Sequence, residues 1–356
     1  MSSRPSEGDS PSATRRATRA LRRAGALFKR RGLMHGNVKV FSGSGHPEFS
    51  RRVCGHLGLP LGHSKLVKFS NQNMLVQIEE NVREADVFFI QPSCPPVSDG
   101  ILEMLITIDA LKHASAGRIT AVVPYFPYSR SDKKDRPRVS ITARLMADLI
   151  ETAGADRVLT MDLHAPQIQG FFRIPVDQLI AAPLICQRLS QSPLADHVVV
   201  ASDIGEAKDI ERYAGRLDLP VAIIDKRRYA DNAKPVARQL VGDVTGKTAL
   251  IIDDEIASGG TLLEAAAFCL ERGARAVKAA AVHGVFSGSA LERIAASPIE
   301  SVLVTDSLPL ATGAPAPGAA TATLRSGKIE QLSVAALFAR AIEAIHDGTS
   351  VFELVS

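Results

Sequence analysis

The chain has 356 residues, enough for two domains of ordinary size, and a formal net charge of +4. Its hydrophobic fraction of 46% and charged fraction of 22% are typical of a soluble globular protein, and no apolar run approaches the ~18 residues needed to cross a membrane. The 4 cysteines lie far apart without C-x-x-C spacing, which indicates free thiols in a reducing cytoplasm rather than disulfides or zinc.

Segment 1–36 is rich in Ser and Arg. Nine basic and two acidic residues give residues 1–33 a charge of +7, which leaves −3 for the rest of the chain. The basic balance therefore belongs to the tail, and we expect neither a nucleic-acid nor a membrane partner for the body. The pattern predicts a disordered tail, or an over-long reading frame whose true start is Met34. A targeting segment is the second interpretation.

From residue 37 onward, short apolar runs alternate with helical patterns, which predicts an α/β fold with mainly parallel sheets. In the first half we predict strands at 38–41, 65–69, 74–79, 86–91, 118–124 and 156–164, and helices at 48–57, 101–115 and 141–153. In the second half we predict strands at 197–201, 221–224, 248–252, 276–283 and 302–305, a flexible loop at 311–323 and a closing helix at 334–346.

These patterns predict two α/β domains, 37–182 and 183–356. The closing helix of the second domain is a candidate to pack back on the first. The two halves show a similar alternation of strands and helices, although no residue-level repeat is visible.

The stretch 248–261 carries the strongest chemical signal. Asp253 and Asp254 follow a continuous apolar strand, and a small polar turn, 258–261, then leads into a helix. Unpaired N–H groups at a helix start attract anions, and glycines let a phosphate approach closely. The carboxylates upstream suit sugar hydroxyls or Mg²⁺. A turn that merely starts a helix is the plainer interpretation of the Gly-Gly-Thr alone.

Two other features lie where open α/β sheets bind ligands, at the carboxyl ends of strands. Residues 124–140 form a strongly basic loop after a buried strand, which suits a mobile lid over polyphosphate, although such charge runs are usually solvated surface. His164 ends the next predicted strand, and a catalytic and a structural role are equally open for it.

From about Val38 to its end, the chain resembles the ribose-phosphate pyrophosphokinases, also called phosphoribosyl diphosphate synthases, and is most similar to their phosphate-activated class. The segments that carry the resemblance are Phe41-Ser-Gly-Ser44, Lys68-Phe-Ser-Asn-Gln72, Pro127-Tyr-Ser-Arg130, Asp132-Lys-Lys-Asp135, Thr160-Met-Asp-Leu-His-Ala165, Gln167-Ile-Gln-Gly-Phe-Phe172, Ile174-Pro-Val-Asp177 and His283-Gly-Val-Phe-Ser-Gly288. It implies two tandem type I phosphoribosyltransferase-like domains, each with a mainly parallel sheet flanked by helices.

The resemblance implies a transferase that moves the diphosphoryl group of ATP to ribose 5-phosphate and releases 5-phosphoribosyl 1-diphosphate and AMP. It further implies Mg²⁺ as cofactor, a cytoplasmic location and a dimer-based homo-oligomer, with a hexamer expected, in which a neighbouring subunit supplies the adenine contacts.

Site residues follow from the same resemblance. The catalytic residues are Lys226 and Arg228, and ATP is bound by Phe69, Asn71, Asn73, Arg130, Ser131, Asp135 and His164. Ribose 5-phosphate is bound by Asp253, Asp254, Ala257, Ser258, Gly259, Gly260 and Thr261. Metal is held by His164 and Asp203, and candidate allosteric residues are Arg83, Arg138 and Ser350.

The chain departs from the family pattern at Asn73, Ser131, Ala257 and Glu206, all beside the nucleotide or the sugar phosphate. Asn81 and Phe352 replace serines of the allosteric phosphate site, which predicts weak or absent activation by phosphate.

Two alternatives stay open for the function of the chain. One is a weakly active or inactive paralogue that regulates a true synthase by co-assembly. The other is a related diphosphokinase with altered nucleotide or sugar-phosphate specificity.

Overall fold

A computed structural model describes residues 36–203, 205, 207–227, 236–310 and 327–354. The predicted tail with Met34 and the predicted loop at 311–323 lie outside these residues. Within the described ranges, none of the helices is both long and apolar enough to span a membrane.

The first half contains one sheet and a separate hairpin. Its elements are β1 (Val38–Ser42), α1 (Pro47–Leu57), β2 (Ser64–Lys68), β3 (Met74–Ile78), β4 (Asp86–Ile90), α2 (Val97–His113), β5 (Arg118–Val123), α3 (Thr142–Ala153), β6 (Arg157–Met161) and β7 (Val176–Leu179). The sheet runs β1-β4-β5-β6-β7 with every neighbouring pair parallel, and β2 pairs with β3 as the hairpin.

The second half contains a wider sheet. Its elements are α4 (Ala182–Leu189), β8 (His197–Ala201), α5 (Ala207–Leu217), β9 (Val221–Arg227), β10 (Val236–Val241), β11 (Thr248–Ile256), α6 (Gly260–Glu271), β12 (Ala276–Gly284), α7 (Ala290–Ala295), β13 (Ser301–Thr305), β14 (Ile329–Leu332) and α8 (Ala335–Asp347). The sheet order is β10-β9-β8-β11-β12-β13-β14, parallel except for β10 against β9.

Sequence pattern accounts for these elements. All five residues of β4 and of β8 are buried, as expected for strands covered on both faces. Helix α1 turns Phe49 and Val53 inward and ends at Gly58, whose φ of 67° is a left-handed conformation that glycine adopts readily. The predicted α/β class with mainly parallel sheets is confirmed. The domain boundary at 182 and 183 stays a prediction.

Strand β11 differs from the prediction in a way that matters for the site. It was expected to end at Ile252, yet it continues to Ile256. Pairing with β8 stops at Ile252, whereas pairing with β12 continues and places Glu255 opposite His283. Asp253 and Asp254 therefore lie within the strand, in a stretch that is paired with β12 but no longer with β8.

Other boundaries also shifted. Strand β6 ends at Met161 rather than at residue 164, and α2 begins at Val97 rather than at 101. Strands β7, β10 and β14 were not predicted. Each is at the edge of a sheet, and β7 and β14 have only four residues, which is too short for an alternating pattern to be read.

The two halves share one apolar core. A single cluster of buried side chains includes Phe88 of the first sheet, Leu250 of the second sheet and Phe338 of α8. Helix α8 packs on α1, where the rings of Phe49 and Phe338 meet edge to face at 5.4 Å. The last helix of the second half thus lies against the first half.

Helix α8 is also held by a buried charge. Asp86 at the start of β4 accepts two hydrogen bonds from Arg118, at 2.8 and 2.6 Å. The same carboxylate lies 2.8 Å from Nδ1 of His346 in α8, and Arg118 donates to the carbonyl of Ile345 at 3.0 Å. Because Asp86 is fully buried, these partners compensate a charge that would otherwise be costly.

Candidate active site

A cavity of about 940 Å³ lies where the two halves meet. Its wall includes His164, which follows β6, Asp203, which follows β8, and the β11 pair Asp253 and Asp254. In the second sheet the chain leaves β8 on one side for β9 and returns on the other side as β11, so the sheet order reverses between them. Ligands of open α/β sheets bind at such a reversal, beyond the carboxyl ends of the strands.

His164 and Asp254 form an ion pair across the two halves, with Nδ1 and Oδ2 2.6 Å apart. This hydrogen bond raises the pKa of His164 and outweighs the opposite effect of burial. Burial alone would raise the pKa of Asp254, but hydrogen bonds with His164 and Asp253 overcome it and lower that pKa to about 2. The pair therefore favours a charged imidazole beside a charged carboxylate.

Asp203 lines the same cavity as this pair. Its Oδ1 accepts a hydrogen bond of 2.7 Å from the backbone N–H of Gly205. A Cβ atom at Gly205 would approach Asp203 Oδ1 to 2.9 Å, so a larger residue there would displace the carboxylate. Glu206, the departure noted beside it, lies outside the described residues.

The carboxylates around the cavity fit Mg²⁺. Among the described residues no group of three or more His, Cys, Asp or Glu side chains is placed so that it could hold a metal ion. Mg²⁺ rarely uses such a cage, because it keeps several waters and is held by one or two carboxylates together with substrate phosphates. His164 and Asp203, with Asp253 and Asp254 nearby, form an open set of this kind.

The predicted phosphate turn, 257–261, follows β11 and begins α6. Gly259 precedes the helix with φ 76° and ψ 0°, a left-handed conformation that frees the first N–H groups of α6. The carbonyl of Ser258 accepts a hydrogen bond of 3.2 Å from Arg293. The turn is three residues beyond Asp254 in the chain but does not itself line the cavity.

Arg130 is tied to the second half by a residue that sequence reasoning missed. Its Nε lies 2.6 Å from Oε1 of Glu255, and Oε2 of Glu255 accepts a hydrogen bond of 2.8 Å from the Tyr125 hydroxyl. Burial raises the pKa of Glu255, although the charge of Arg130 and the Tyr125 hydrogen bond oppose it. The only sequence signal was a third acid in the run after Asp253 and Asp254, inside an otherwise apolar strand.

His283 is a second buried group that was missed as a supporting residue. Its Nδ1 lies 2.8 Å from the Ser307 hydroxyl and its Nε2 lies 3.2 Å from the carbonyl of Asp162. Asp162 has φ 34° and accepts a hydrogen bond from the N–H of Ala181, so the backbone just before His164 is held in an unusual conformation. The ring of Tyr125 lies 4.9 Å from that of His283.

The predicted nucleotide contacts are not all brought together. Phe69, Asn71 and Asn73 lie at the turn of the β2–β3 hairpin, and none of them lines the cavity. Phe69 is 49% exposed there. In the basic loop, Ser131 accepts a hydrogen bond from the N–H of Thr142, which begins α3.

Two charged residues of the basic loop behave differently. Asp135 pairs with its neighbour Arg136 at 3.4 Å on the surface, whereas Lys133 lines the cavity. The loop therefore contributes at least one positive charge to the cavity wall.

The remaining predicted residues are peripheral or outside the described structure. Lys226 lies near the end of β9, with its side chain outside the described part, and Arg228 lies outside it altogether. The candidate allosteric residues Arg83, Arg138 and Ser350 are all exposed. Two residues beyond Ser350, Phe352 reaches the cavity wall although it is 75% exposed.

Family models match segments of both halves of the chain. Residues 38–154 match the N-terminal domain of ribose phosphate pyrophosphokinase, and residues 228–356 match the phosphoribosyl synthetase-associated domain.

Relatives of known name cover most of the chain. A ribose-phosphate pyrophosphokinase of Clostridium acetobutylicum is 45% identical over 323 residues, which is 90% of this chain and 98% of the relative. That of Deinococcus radiodurans is 47% identical over 318 residues, with 88% and 97% covered. The crystal structure of phosphoribosylpyrophosphate synthetase from Mycobacterium smegmatis superposes with a TM-score of 0.80 at 39% identity, covering 88% of this chain and 100% of that one.

Proposed function

The chain belongs to the ribose-phosphate pyrophosphokinase family, whose members are diphosphotransferases, and on that premise we propose how its site forms 5-phosphoribosyl 1-diphosphate from ATP and ribose 5-phosphate. The observation that carries the proposal is the meeting of His164, Asp203, Asp253 and Asp254 around one cavity at the point where the sheet order reverses. Three residues separate the end of β11 from the start of α6, and the start of a helix is a favourable place for an anion.

The sugar phosphate binds along β11 and the turn that follows. Carboxylates of Asp253 and Asp254 accept hydrogen bonds from the ribose hydroxyls, and backbone N–H groups of residues 257–261 hold the 5-phosphate at the start of α6. This arrangement presents the anomeric hydroxyl to the interior of the cavity. Ala257 adds no side-chain hydrogen bond, so the turn relies on its backbone and on Ser258 and Thr261.

Diphosphoryl transfer needs positive charge near the phosphates rather than a strong base. The anomeric oxygen forms a bond to the β-phosphorus of ATP, the bond from that phosphorus to the oxygen of AMP breaks, and the hydroxyl proton is released. Arg130 and Lys133 supply charge from the first half, and we assign Lys226 and Arg228 the same task from the segment after β9. His164, oriented by the hydrogen bond between its Nδ1 and Asp254, faces the same phosphates.

Mg²⁺ is the proposed cofactor, which Asp203 would hold together with phosphate oxygens of the nucleotide and which His164 would join as a ligand through Nε2 when its imidazole is neutral. When bound, it neutralises charge on the transferring group. The open carboxylate set described above supports this assignment.

Assembly and location are proposed from the positions of two groups of residues. Phe69, Asn71 and Asn73 lie on an exposed hairpin and do not line the cavity, which supports a dimer-based homo-oligomer such as a hexamer, in which this hairpin completes the adenine site of a neighbour. All four cysteines of the described structure are buried and unpaired, which supports the reducing cytoplasm as the location.

The test is formation of AMP and 5-phosphoribosyl 1-diphosphate by the purified chain with ATP, Mg²⁺ and ribose 5-phosphate. Asp253→Asn removes a charged acceptor from the sugar hydroxyls, so we expect kcat/KM for ribose 5-phosphate to fall by about 10- to 100-fold, the worth of a hydrogen bond to a charged group. Asp109→Asn, an exposed carboxylate on α2, is the control and leaves kcat/KM unchanged.

Wild-type protein that is folded but makes no AMP would contradict the proposal. Turnover with another nucleotide or pentose phosphate would then favour the related diphosphokinase, and no turnover at all would favour the regulatory paralogue. If the Asp253→Asn variant is as active as wild type, the proposed binding of the ribose hydroxyls along β11 is wrong.

A further inference from the structure

Glu255 is the one acid of the Asp253-Asp254-Glu255 run that has no place in the mechanism above. It is 4% exposed, in the part of β11 that pairs with β12 alone. A buried carboxylate without partners is destabilising, so its contacts deserve an explanation in terms of what they hold in place. The inference drawn from them rests on the proposed function.

Both oxygens of Glu255 are occupied by groups from the other half. Oε1 lies 2.6 Å from Nε of Arg130, and Oε2 accepts the Tyr125 hydroxyl at 2.8 Å. Tyr125 and Arg130 both belong to the segment that follows β5. Glu255 therefore attaches the beginning of the basic loop to the second sheet.

The pairing leaves one side of the Arg130 guanidinium available. Its Nε faces Glu255, while in the described structure neither of its Nη groups donates a hydrogen bond, and the side chain is 56% exposed. A guanidinium forms a bidentate contact with a phosphate through two parallel N–H groups, which requires a fixed orientation of the guanidinium. Anchoring at Nε supplies that orientation before the ligand arrives.

Two ion pairs now lie next to each other across the halves. Asp254 forms an ion pair with His164 at 2.6 Å, and the adjacent Glu255 forms an ion pair with Arg130. His164 and Arg130 thus each have a carboxylate of their own. Without Glu255, Arg130 would lose the carboxylate that pairs with it.

We infer that Glu255 is a positioning residue for the nucleotide: it anchors Arg130 through Nε and aims the guanidinium at the phosphate chain of ATP. Glu255 itself does not touch the substrate. Its contribution is preorganisation, since an unanchored arginine would lose side-chain freedom on binding.

A double-mutant cycle tests this inference. The four proteins are wild type, Glu255→Gln, Arg130→Ala and the double variant, and the readouts are calorimetric binding of a non-hydrolysable ATP analogue and the KM for each substrate. Gln keeps the size of Glu255 and an acceptor for Tyr125 but removes the charge that holds Arg130. Contacts that act through one another give non-additive effects.

We expect Glu255→Gln to weaken analogue binding and raise the KM for ATP by about tenfold, with the KM for ribose 5-phosphate nearly unchanged. In the Arg130→Ala background the same substitution has no further effect. Tyr125→Phe is the matched control, because it removes the other partner of Glu255 and leaves Arg130 anchored, so it changes ATP binding by less than twofold.

Three results would overturn the inference. One is an equal loss for both substrates that persists in the Arg130→Ala background, which would make Glu255 merely structural. Another is tighter analogue binding by Glu255→Gln, which would mean that Glu255 sequesters Arg130. The third is unchanged binding. Because binding is measured apart from turnover, a wild type that binds the analogue but forms no AMP would count against the proposed function and leave the cycle decisive.

Discussion

His283 shows how a single buried residue ties the site to the pH dependence of the fold. The imidazole lies between Ser307 and the carbonyl of Asp162, and burial lowers the pKa of His283 to about 4 from its ordinary 6.5. Between these two values the unfolded chain binds the proton and the folded chain does not. The contribution of His283 to the free energy of unfolding therefore falls as the pH drops from 6.5 to 4.

The size of this effect follows from the shift, and we expect His283 to contribute a loss of about 3 kcal/mol across that interval. In His283→Gln the free energy of unfolding, measured by urea titration at several pH values, should depend less steeply on pH between 6.5 and 4. Asp254 does not interfere, because its pKa of about 2 confines its own loss of stability to lower pH. Equal slopes in the two proteins would contradict the prediction.

Some site residues were predictable from the sequence and others were not. Asp254 and His164 were predicted at the carboxyl ends of parallel strands, which meet at one edge of a sheet, whereas Asp203 followed only from the family resemblance. Glu255 and Tyr125 were not. Each contacts a partner in the other half of the chain, and local patterns contain no information on which side chains face each other across that junction.

At the scale of elements, the turn before α6 depends on one backbone conformation. Gly259 has φ 76°, yet the atom nearest to an added Cβ would be 3.7 Å away, so space is not the constraint. A side chain in this left-handed region costs about 1–2 kcal/mol in conformational energy. The turn is therefore expected to tolerate the volume of alanine but not its preferred dihedral angles.

We predict that Gly259→Ala lowers the free energy of unfolding by about 1 kcal/mol and raises the KM for ribose 5-phosphate, because relaxation of the turn redirects the N–H groups of α6. Gly246→Ala is a matched control: its φ is 70°, no atom lies within 4 Å of an added Cβ, and it is in a turn before β11. Both variants should lose similar stability, and only Gly259→Ala should change the KM. A change of KM in both would contradict this interpretation.

Strand β11 shows the limit of sequence pattern at this scale. Its apolar run ends at Ile252, and the charges that follow predict a loop. The strand continues because β12 offers backbone partners as far as Gly284, and hydrogen bonding to a neighbour outweighs the polarity of the side chains. Element type was predictable from local sequence, whereas the end of the element depended on the length of its neighbour.

At the scale of the whole molecule, α8 joins the halves through the shared core. Phe338 is fully buried against Phe49 of α1. We expect Phe338→Ala to lower the free energy of unfolding by about 3–5 kcal/mol, the usual cost of emptying an aromatic core site. Because one core cluster spans both halves, unfolding should remain one transition, whether followed by far-UV circular dichroism or by calorimetry.

A half-exposed apolar residue, Leu102, provides the control, and Leu102→Ala should cost far less. Two separate transitions in Phe338→Ala, one for each half, would contradict the prediction. The two-part α/β organisation was visible in the sequence, but the continuity of the core was not, because buried faces of two amphipathic sheets look alike whether they pack separately or together.

The shared core has a further consequence for how substrates reach the cavity. Swinging the halves apart like a hinge would break the contact of α8 with α1 and expose the buried Asp86 cluster with it. We therefore expect the two halves to stay together while substrates exchange. Substrates then enter and leave at the rim of the cavity, where the side chains of Lys133 and Phe352 are exposed.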